Sequence, residues 1–496
     1  MTTIRTAIAS GILVRGGALI VALGVVTLAS ENTSAFPFFN RYYKILNLRT
    51  FNADLLCSKT DCESHASDVN TWGQVTGWSR LDPALDTPPP FIRAFRTAPN
   101  APIDADSALA LLNCDHPPNC GSYYSSSWRT SAGNAINDSG WVVGQECSYG
   151  HSGDWCRDHF FPFVAPGVQT LSLLLPLVDS FLRNYSANAI NSLGTIVGVG
   201  PEGGWIGITG ALLPSSIASP EDINDHGVIV GRTVSHRAFR WLTGSSPSAV
   251  EDLGSLDPTC TTCTGIAHAI NDAGNIVGAS QKSAALPDVH HAFLWRRRGI
   301  LLPDHQMTDL GTLCPRTESL FCSSRALDIN NHQDVVGISQ TTTSLNGNPH
   351  AFLHRDSTMT DINMLLSPTD RAVWTLVDAT AINDLGQIVG TGIFQNNKPR
   401  AYLLTPPLLS ILATLKGLSA SSSVLAPERD SLAATLARVE AAVDRGDQNE
   451  ARRGLSRYQD EVQTLMAGRR VSHIQATKLL AGVALIQREI DSDLRR

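Results

Sequence analysis

An all-β seven-bladed β-propeller, closed by an N-terminal strand latch and followed by a small all-α C-terminal helical bundle, is the fold that three features of the sequence predict. A strand–turn–strand motif recurs seven times. Each recurrence carries further strand-like segments, and near the C-terminus the hydrophobic pattern changes from strand-like to helical.

In its clearest form the motif reads Ala269-Ile270-Asn271-Asp272-Ala273-Gly274-Asn275-Ile276-Val277-Gly278. Its turn begins at Asn70, Asn137, Asn191, Asn224, Asn271, Asn330 and Asn383. Asn or Asp opens a type I turn by accepting backbone N–H groups, and a following Gly supplies the positive φ that closes a hairpin. That Gly is Gly73, Gly140, Gly194, Gly227, Gly274 and Gly386, whereas the sixth copy has Gln333 and should have a strained turn. A second Gly ends the next strand in every copy, from Gly77 to Gly390, and marks a bulge or a close backbone approach.

After the hairpin comes an aromatic strand such as His291-Ala292-Phe293 or Arg237-Ala238-Phe239, then one such as Thr308-Asp309-Leu310-Gly311. Four short strands per copy is the content of a propeller blade. Turn-to-turn spacings of 67, 54, 33, 47, 59 and 53 vary too much for a β-solenoid and lie around the propeller periods of roughly 40 to 50 residues. The last copy meets Pro406-Pro407 without its fourth strand, and Tyr43 to Thr50 can supply it as a latch that removes an open edge. The innermost strand is then Ala267 to Ile270 and its equivalents.

Residues 1–35 read as a signal peptide: Arg5 and Arg15 precede an apolar run from Gly16 to Ala29 and a small, polar Ser30 to Ala35. An uncleaved anchor is the alternative. The propeller then occupies 36–405, a linker 406–426 and a three-helix module 427–496, whose stripes run through Leu432, Leu436 and Val439, through Leu455, Tyr458 and Val462, and through Leu479, Val483 and Ile486. Ten cysteines fall as five close pairs, each able to staple one loop: Cys57 with Cys62, Cys114 with Cys120, Cys147 with Cys156, Cys260 with Cys263, and Cys314 with Cys322. Signal and cysteines together point to a secreted, periplasmic or cell-surface protein.

At 43% hydrophobic and 17% charged residues, the chain can bury a sizeable core. Its net charge of -7 argues against a nucleic-acid partner, because phosphate binding needs a basic surface. The run Arg296 to Arg298 reads as a solvated turn at a strand end.

No hydrolase, metalloprotease, phosphate-binding or dinucleotide motif appears, and no catalytic residue, cofactor or metal is expected. The turn residues Asp138, Asp225, Asp272 and Asp384 could form a calcium ring, but each is expected to accept its own turn's N–H groups. His159, His291 and His350 interchange with Arg93, Arg237 and Arg400, which points to a repeated donor rather than a metal ligand. Cys260-Thr-Thr-Cys263 could hold a metal; a local disulfide is the reading preferred. Tyr123, Tyr124 and Trp128 on one long insertion and Trp155 on another suit partner binding.

The repeats resemble the HAF family of probable extracellular repeats, named for the His-Ala-Phe seen at His291 and His350, over roughly residues 40 to 405. The resemblance implies an exported β-propeller-like repeat protein with no catalytic residues to carry over. The C-terminal segment resembles FIMAH-like helical modules in Ala441-Ala442-Val443-Asp444-Arg445-Gly446-Asp447 and in the turn Gly468-Arg469-Arg470, which implies a binding or attachment accessory. The expected function is an exported scaffold that binds a protein or glycan through the loops of one face. The alternative is an enzyme acting on extracellular polysaccharide from the central channel.

Overall fold

The computed structural model describes residues 42–50, 63–80, 92–104, 107, 129–148, 160–166, 185–207, 210–296, 306–315, 322–342, 349–395, 398–421, 424 and 426–493. The strands form seven antiparallel sheets in a propeller-like arrangement, and an all-α region follows. In the fifth copy Gly265–Ile270, Ile276–Ser283, Leu286–Arg296 and Gln306–Gly311 pair in chain order. The first two copies show three strands each among the described residues.

In six of the seven copies the first strand carries a bulge just before its turn, seen as a register shift between Ala66 and Asp68, Gly133 and Ala135, Ala187 and Ala189, Pro220 and Asp222, Ala267 and Ala269, and Ala326 and Asp328. The bulge explains the second Gly of the motif. It pushes a carbonyl of the first strand onto the second strand, so that a Cβ on Gly278 would sit 2.0 Å from the Ile266 oxygen. The turn Gly answers to backbone conformation instead, since Gly274 has φ +79° with open space around it. Gln333 adopts φ 66° at the corresponding position, which costs a side chain about 1 kcal/mol.

Between the sheets lie Val, Ile, Ala and aromatic side chains, with Phe239, Phe293, Phe352 and Tyr402 fully buried. The strand ahead of the repeats joins the sheet of the last copy. Lys44–Asn47 pairs antiparallel with Lys398–Thr405, Lys44 opposite Thr405 and Asn47 opposite Tyr402. Leu48, fully buried, adds a hydrogen bond from its N–H to the Ala401 oxygen at 3.0 Å. The latch therefore sits at the outer edge, as a fourth strand must.

Among the described residues two disulfides tie loops that precede first strands, Cys260–Cys263 and Cys314–Cys322. Cys57, Cys62, Cys114, Cys120 and Cys156 lie outside the described residues, as does the side chain of Cys147. The repeated donor also appears: Arg237 Nε reaches Asp252 at 3.0 Å, His291 Nδ1 reaches Asp309 at 2.9 Å and His350 Nδ1 reaches Asp361 at 2.7 Å. Each binds the Asp of the next strand in its own sheet. His159 lies outside the described residues. Arg296, exposed at a strand end, donates from Nε and Nη2 to Gln333 Oε1.

The expected linker is corrected. Leu408–Ser419 is a helix that buries Leu408, Ile411, Leu412, Leu415 and Leu418, a helical period that the flanking prolines and serines obscured. With Ala426–Asp444, Gln448–Ala467 and His473–Asp493 it makes four helices instead of three. Their shared core takes only Leu385 from the sheets among its buried members, with Trp72 packed against it.

Two substitutions separate the roles of the glycines. Gly278→Ala should lower unfolding free energy by on the order of 3 kcal/mol, because a carbonyl must move, whereas Gly274→Ala should cost about 1 kcal/mol for its backbone conformation. Denaturant midpoints of the two variants check this, and equal losses would contradict the bulge as the reason for the second Gly.

Candidate functional site: the turn ring and its axial cavity

The seven turns converge on one cavity of about 210 Å³. It is lined by the buried Val69, Ile136, Ile190, Ile223, Ile270, Ile329 and Ile382, by the seven Asn residues and by the residues that follow them. The first strands lead into these turns, which puts Ala267 to Ile270 and its equivalents nearest the cavity.

Each Asn serves its own turn and the next. The Asn271 Oδ1 accepts from Asn275 N at 2.9 Å, while its Nδ2 donates to the Asn330 carbonyl at 2.9 Å. The same donation runs from Asn70 to Asn137, Asn137 to Asn191, Asn191 to Asn224, Asn224 to Asn271, Asn330 to Asn383 and Asn383 back to Asn70. The relay closes on itself. Asn carries its acceptor and its donor on two separate atoms of one short side chain, so it can serve two turns at once.

The expectation for the turn carboxylates is corrected: the Asp serves the neighbouring turn, because the Asn already occupies its own. Asp138 Oδ1 accepts from Thr71 N at 2.9 Å, Asp225 Oδ1 from Ser192 N at 2.8 Å, Asp272 Oδ1 from Asp225 N at 3.2 Å and Asp384 Oδ1 from Asn331 N at 2.8 Å. Asn331 fills the same role toward Asp272 N at 3.0 Å. Thr71 and Ser192 carry a hydroxyl at this position in place of a carboxylate or amide.

Deeper lie Asp68, Asp222 and Asp328. Each accepts the N–H of the following residue and an N–H of the next copy: Ile136 at 2.8 Å, Ile270 at 2.8 Å and Ile382 at 2.7 Å. Burial pushes Asp68 and Asp222 up to about 6 and Asp328 well above the usual carboxylate range, and repulsion from nearby carboxylates adds to it. The bulge residues link copies too, Asn188 Nδ2 to the Pro220 carbonyl at 2.8 Å and Thr380 Oγ1 to the Ala66 carbonyl at 3.0 Å. His268 occupies this position in the fifth copy with its Nε2 buried and without a hydrogen-bond partner among the described residues, and burial, with Arg325 nearby, lowers it to about 4.

Lys478, from the last helix, enters the cavity mouth. Its Nζ lies 2.7 Å from Asp384 Oδ2 and 3.7 Å from Asp272 Oδ2. Burial alone would lower Lys478, but Asp384 and Asp272 hold it above its ordinary value. Burial likewise opposes the ionised Asp384, which Lys478 and Asn331 hold below the usual range. Around this contact the helices dock on the turns through Leu385 and Trp72, through the ion pair of Lys44 with Glu489, and through Arg488 Nη1 on the Pro99 oxygen at 3.4 Å.

Sequence reasoning missed Lys478 and the Asn relay. The signals were available: Lys478 interrupts the apolar face of its helix, Asn is present in all seven copies where Asp is not, and Trp72 and Leu385 put large apolar side chains on turns. Of the two readings of Cys260 and Cys263, the structure has the preferred local disulfide and not the metal site. Asp257 stands beside the pair, but the two sulfurs are bonded to each other and offer no thiolate. Tyr123, Tyr124, Trp128 and Trp155 lie outside the described residues.

His268 gives the ring a pH signature of known sign. Its folded-state value near 4 lies below the unfolded value of about 6.5, so its contribution is fully present above the unfolded value and is lost as pH falls toward 4. Asp68 and Asp222, raised to about 6, act oppositely and lose their contribution as pH rises from 4 to 6. Leu327 stands at the position of His268 in the next copy. His268→Leu should therefore lose less stability than the wild type between pH 7 and pH 4, by on the order of 3 kcal/mol. Chemical denaturation at both pH values checks this, and equal acid sensitivity would contradict it.

A family model described as Protein of unknown function (DUF3466) matches residues 249–403, which span the last three turns of the ring. No curated protein matches the chain. Over those residues the chain is similar to that family, whose description names no activity.

Proposed function

We propose that the protein is an exported seven-bladed β-propeller scaffold that binds a protein or glycan partner through the loops of the face opposite the helices. The observation that carries this reading is the division of the two faces. The helices occupy the turn face through Lys478, Leu385 and Trp72. Away from the turns lie the end of Trp141–Ser148, the start of Phe160–Pro166 and the start of Arg129–Ile136, the described residues that flank the expected binding loops.

Both observed disulfides tie loops on that same face, just ahead of Gly265–Ile270 and Ser324–Ile329. Tied loops keep a binding surface preorganised. Export is supported by the disulfides and the N-terminal signal pattern, and no helix among the described residues is long and apolar enough to cross a membrane. The HAF-like repeats and the FIMAH-like helices are the family reading that fits this role. A scaffold is favoured over a channel enzyme because the cavity carboxylates are each committed to a backbone N–H of the ring.

The test is a glycan-array and surface-protein capture experiment with residues 36–496, followed by titration of whatever binds. Replacing Tyr123, Tyr124, Trp128 and Trp155 by Ala should weaken binding at least tenfold with an unchanged melting temperature. Leu193→Ala, on an exposed turn of the helix-bearing face, should leave it intact. Undiminished binding by the loop variant would contradict the assignment of the face.

A further inference from the structure

Along the axis, on the side away from the turns, one copy breaks a pattern that its neighbours keep. At the bulge of the first strand Asn134 donates from Nδ2 to the Ala187 carbonyl at 2.9 Å, Asn188 from Nδ2 to the Pro220 carbonyl at 2.8 Å, and Thr380 from Oγ1 to the Ala66 carbonyl at 3.0 Å. Each donor closes on the same carbonyl of the next copy. His268 holds this position in the fifth copy, and the carbonyl in register with it belongs to Ala326. Its Nε2 is buried and bonds to nothing among the described residues. A buried polar atom in that state is an open position for a partner.

The charge that acts on this ring is Arg325, from the first strand of the sixth copy, Ser324–Ile329. Although that strand is the one nearest the axis, Arg325 is exposed, so solvent reaches it there. Its charge also acts on His290 of the fifth copy and on Asp378 of the seventh. A side chain that reaches both neighbouring copies lies toward the axis, where they converge. Its guanidinium makes no hydrogen bond and no ion pair among the described residues. His290 and Asp378 are engaged elsewhere, His290 Nε2 with Thr264 Oγ1 at 3.1 Å and Asp378 Oδ1 with the Thr391 N–H at 2.7 Å.

The two side chains stand on strands whose entries are fixed. Cys260–Cys263 ties the loop ahead of Gly265–Ile270, and Cys314–Cys322 ties the loop ahead of Ser324–Ile329. Donors held on strands keep their geometry before a ligand arrives. Their chemistry selects an oxyanion, because a guanidinium offers only donors and a neutral imidazole offers one N–H. Asp378 and Asp222, which accepts the Ile270 N–H at 2.8 Å, stand close by and favour a ligand with one negative charge over one with two. A carboxylate is singly charged, and its plane matches the guanidinium fork.

We propose that Arg325 and His268 form a binding site for the carboxylate group of a small organic acid, at the loop-side mouth of the channel between the fifth and sixth copies. Arg325 pairs with the carboxylate through its N–H groups, and His268 donates from Nε2 to one of the oxygens. Burial keeps the imidazole neutral at pH 7, so Nε2 can carry the single proton. The site uses none of the aromatic loop residues, and its test is therefore separate from that of the scaffold's binding face.

Full-length protein is titrated with sodium acetate at pH 7.5, with acetamide as the neutral isostere and sodium sulfate as the dianion, at constant ionic strength. The amide resonances of Gly265–Ile270 and Ser324–Ile329 report binding. Saturable shifts with acetate are expected, with affinity at least tenfold lower in Arg325→Gln and in His268→Leu and unchanged when Tyr123, Tyr124, Trp128 and Trp155 are replaced by Ala. No saturable shift, undiminished affinity in Arg325→Gln, or acetamide or sulfate binding as tightly as acetate would each overturn the proposal. If His268→Leu does not fold, the ring 15N resonances of His268 in the wild type give the reading. Acetate should move the Nε2 resonance and acetamide should not, and equal effects of the two would overturn the proposal.

Discussion

The structure depends on one side chain used seven times. A turn Asn must satisfy N–H groups of its own turn through Oδ1 and reach the next turn's carbonyl through Nδ2, and it does both while buried. A single buried hydrogen bond adds about 1 kcal/mol net, but a buried group left without a partner costs about 1–3 kcal/mol. Each Asn therefore matters to two copies at once. The bulge in the first strand, the Gly that makes room for it and the Asp or Asn331 that reaches back to the preceding turn all serve to keep successive turns in contact.

The latch is the second condition for closure. Without Lys44–Asn47 the last sheet would end at Lys398–Thr405, leaving the N–H and C=O groups on its outer edge without a strand partner. Lys44 also reaches Glu489 of the last helix, so the strand that completes the sheets is tied to the module that covers the turns. The two ends of the described chain thus meet on the turn side of the ring.

What could be read in the sequence was whatever repeats or alternates. The hairpin, the strand content, the latch, the donor at His291 and His350, and the strained Gln333 all follow from local rules applied to residues in register. What escaped was what depends on the neighbouring copy or on a distant helix. Asp272 looked like a capping residue for its own turn, because sequence shows a turn and not the turn beside it. Leu408–Ser419 looked like a linker because prolines and serines bracket it, although its Leu and Ile spacing is helical. Lys478 lies 94 residues beyond Asp384, and no local pattern joins them. The aromatic loop residues belong to the segments that differ most between copies, and repeat logic has least to offer there.

The most direct measurement is residue-resolved amide hydrogen exchange on Asn271→Ala against the wild type. A ring held by a closed relay predicts faster exchange at all seven turns and in the first strands of every copy, since removing one link weakens closure for the whole. Faster exchange confined to the fifth copy and its two neighbours, with the distant turns at Asn70 and Asn137 unchanged, would contradict the relay as the constraint on which the fold depends.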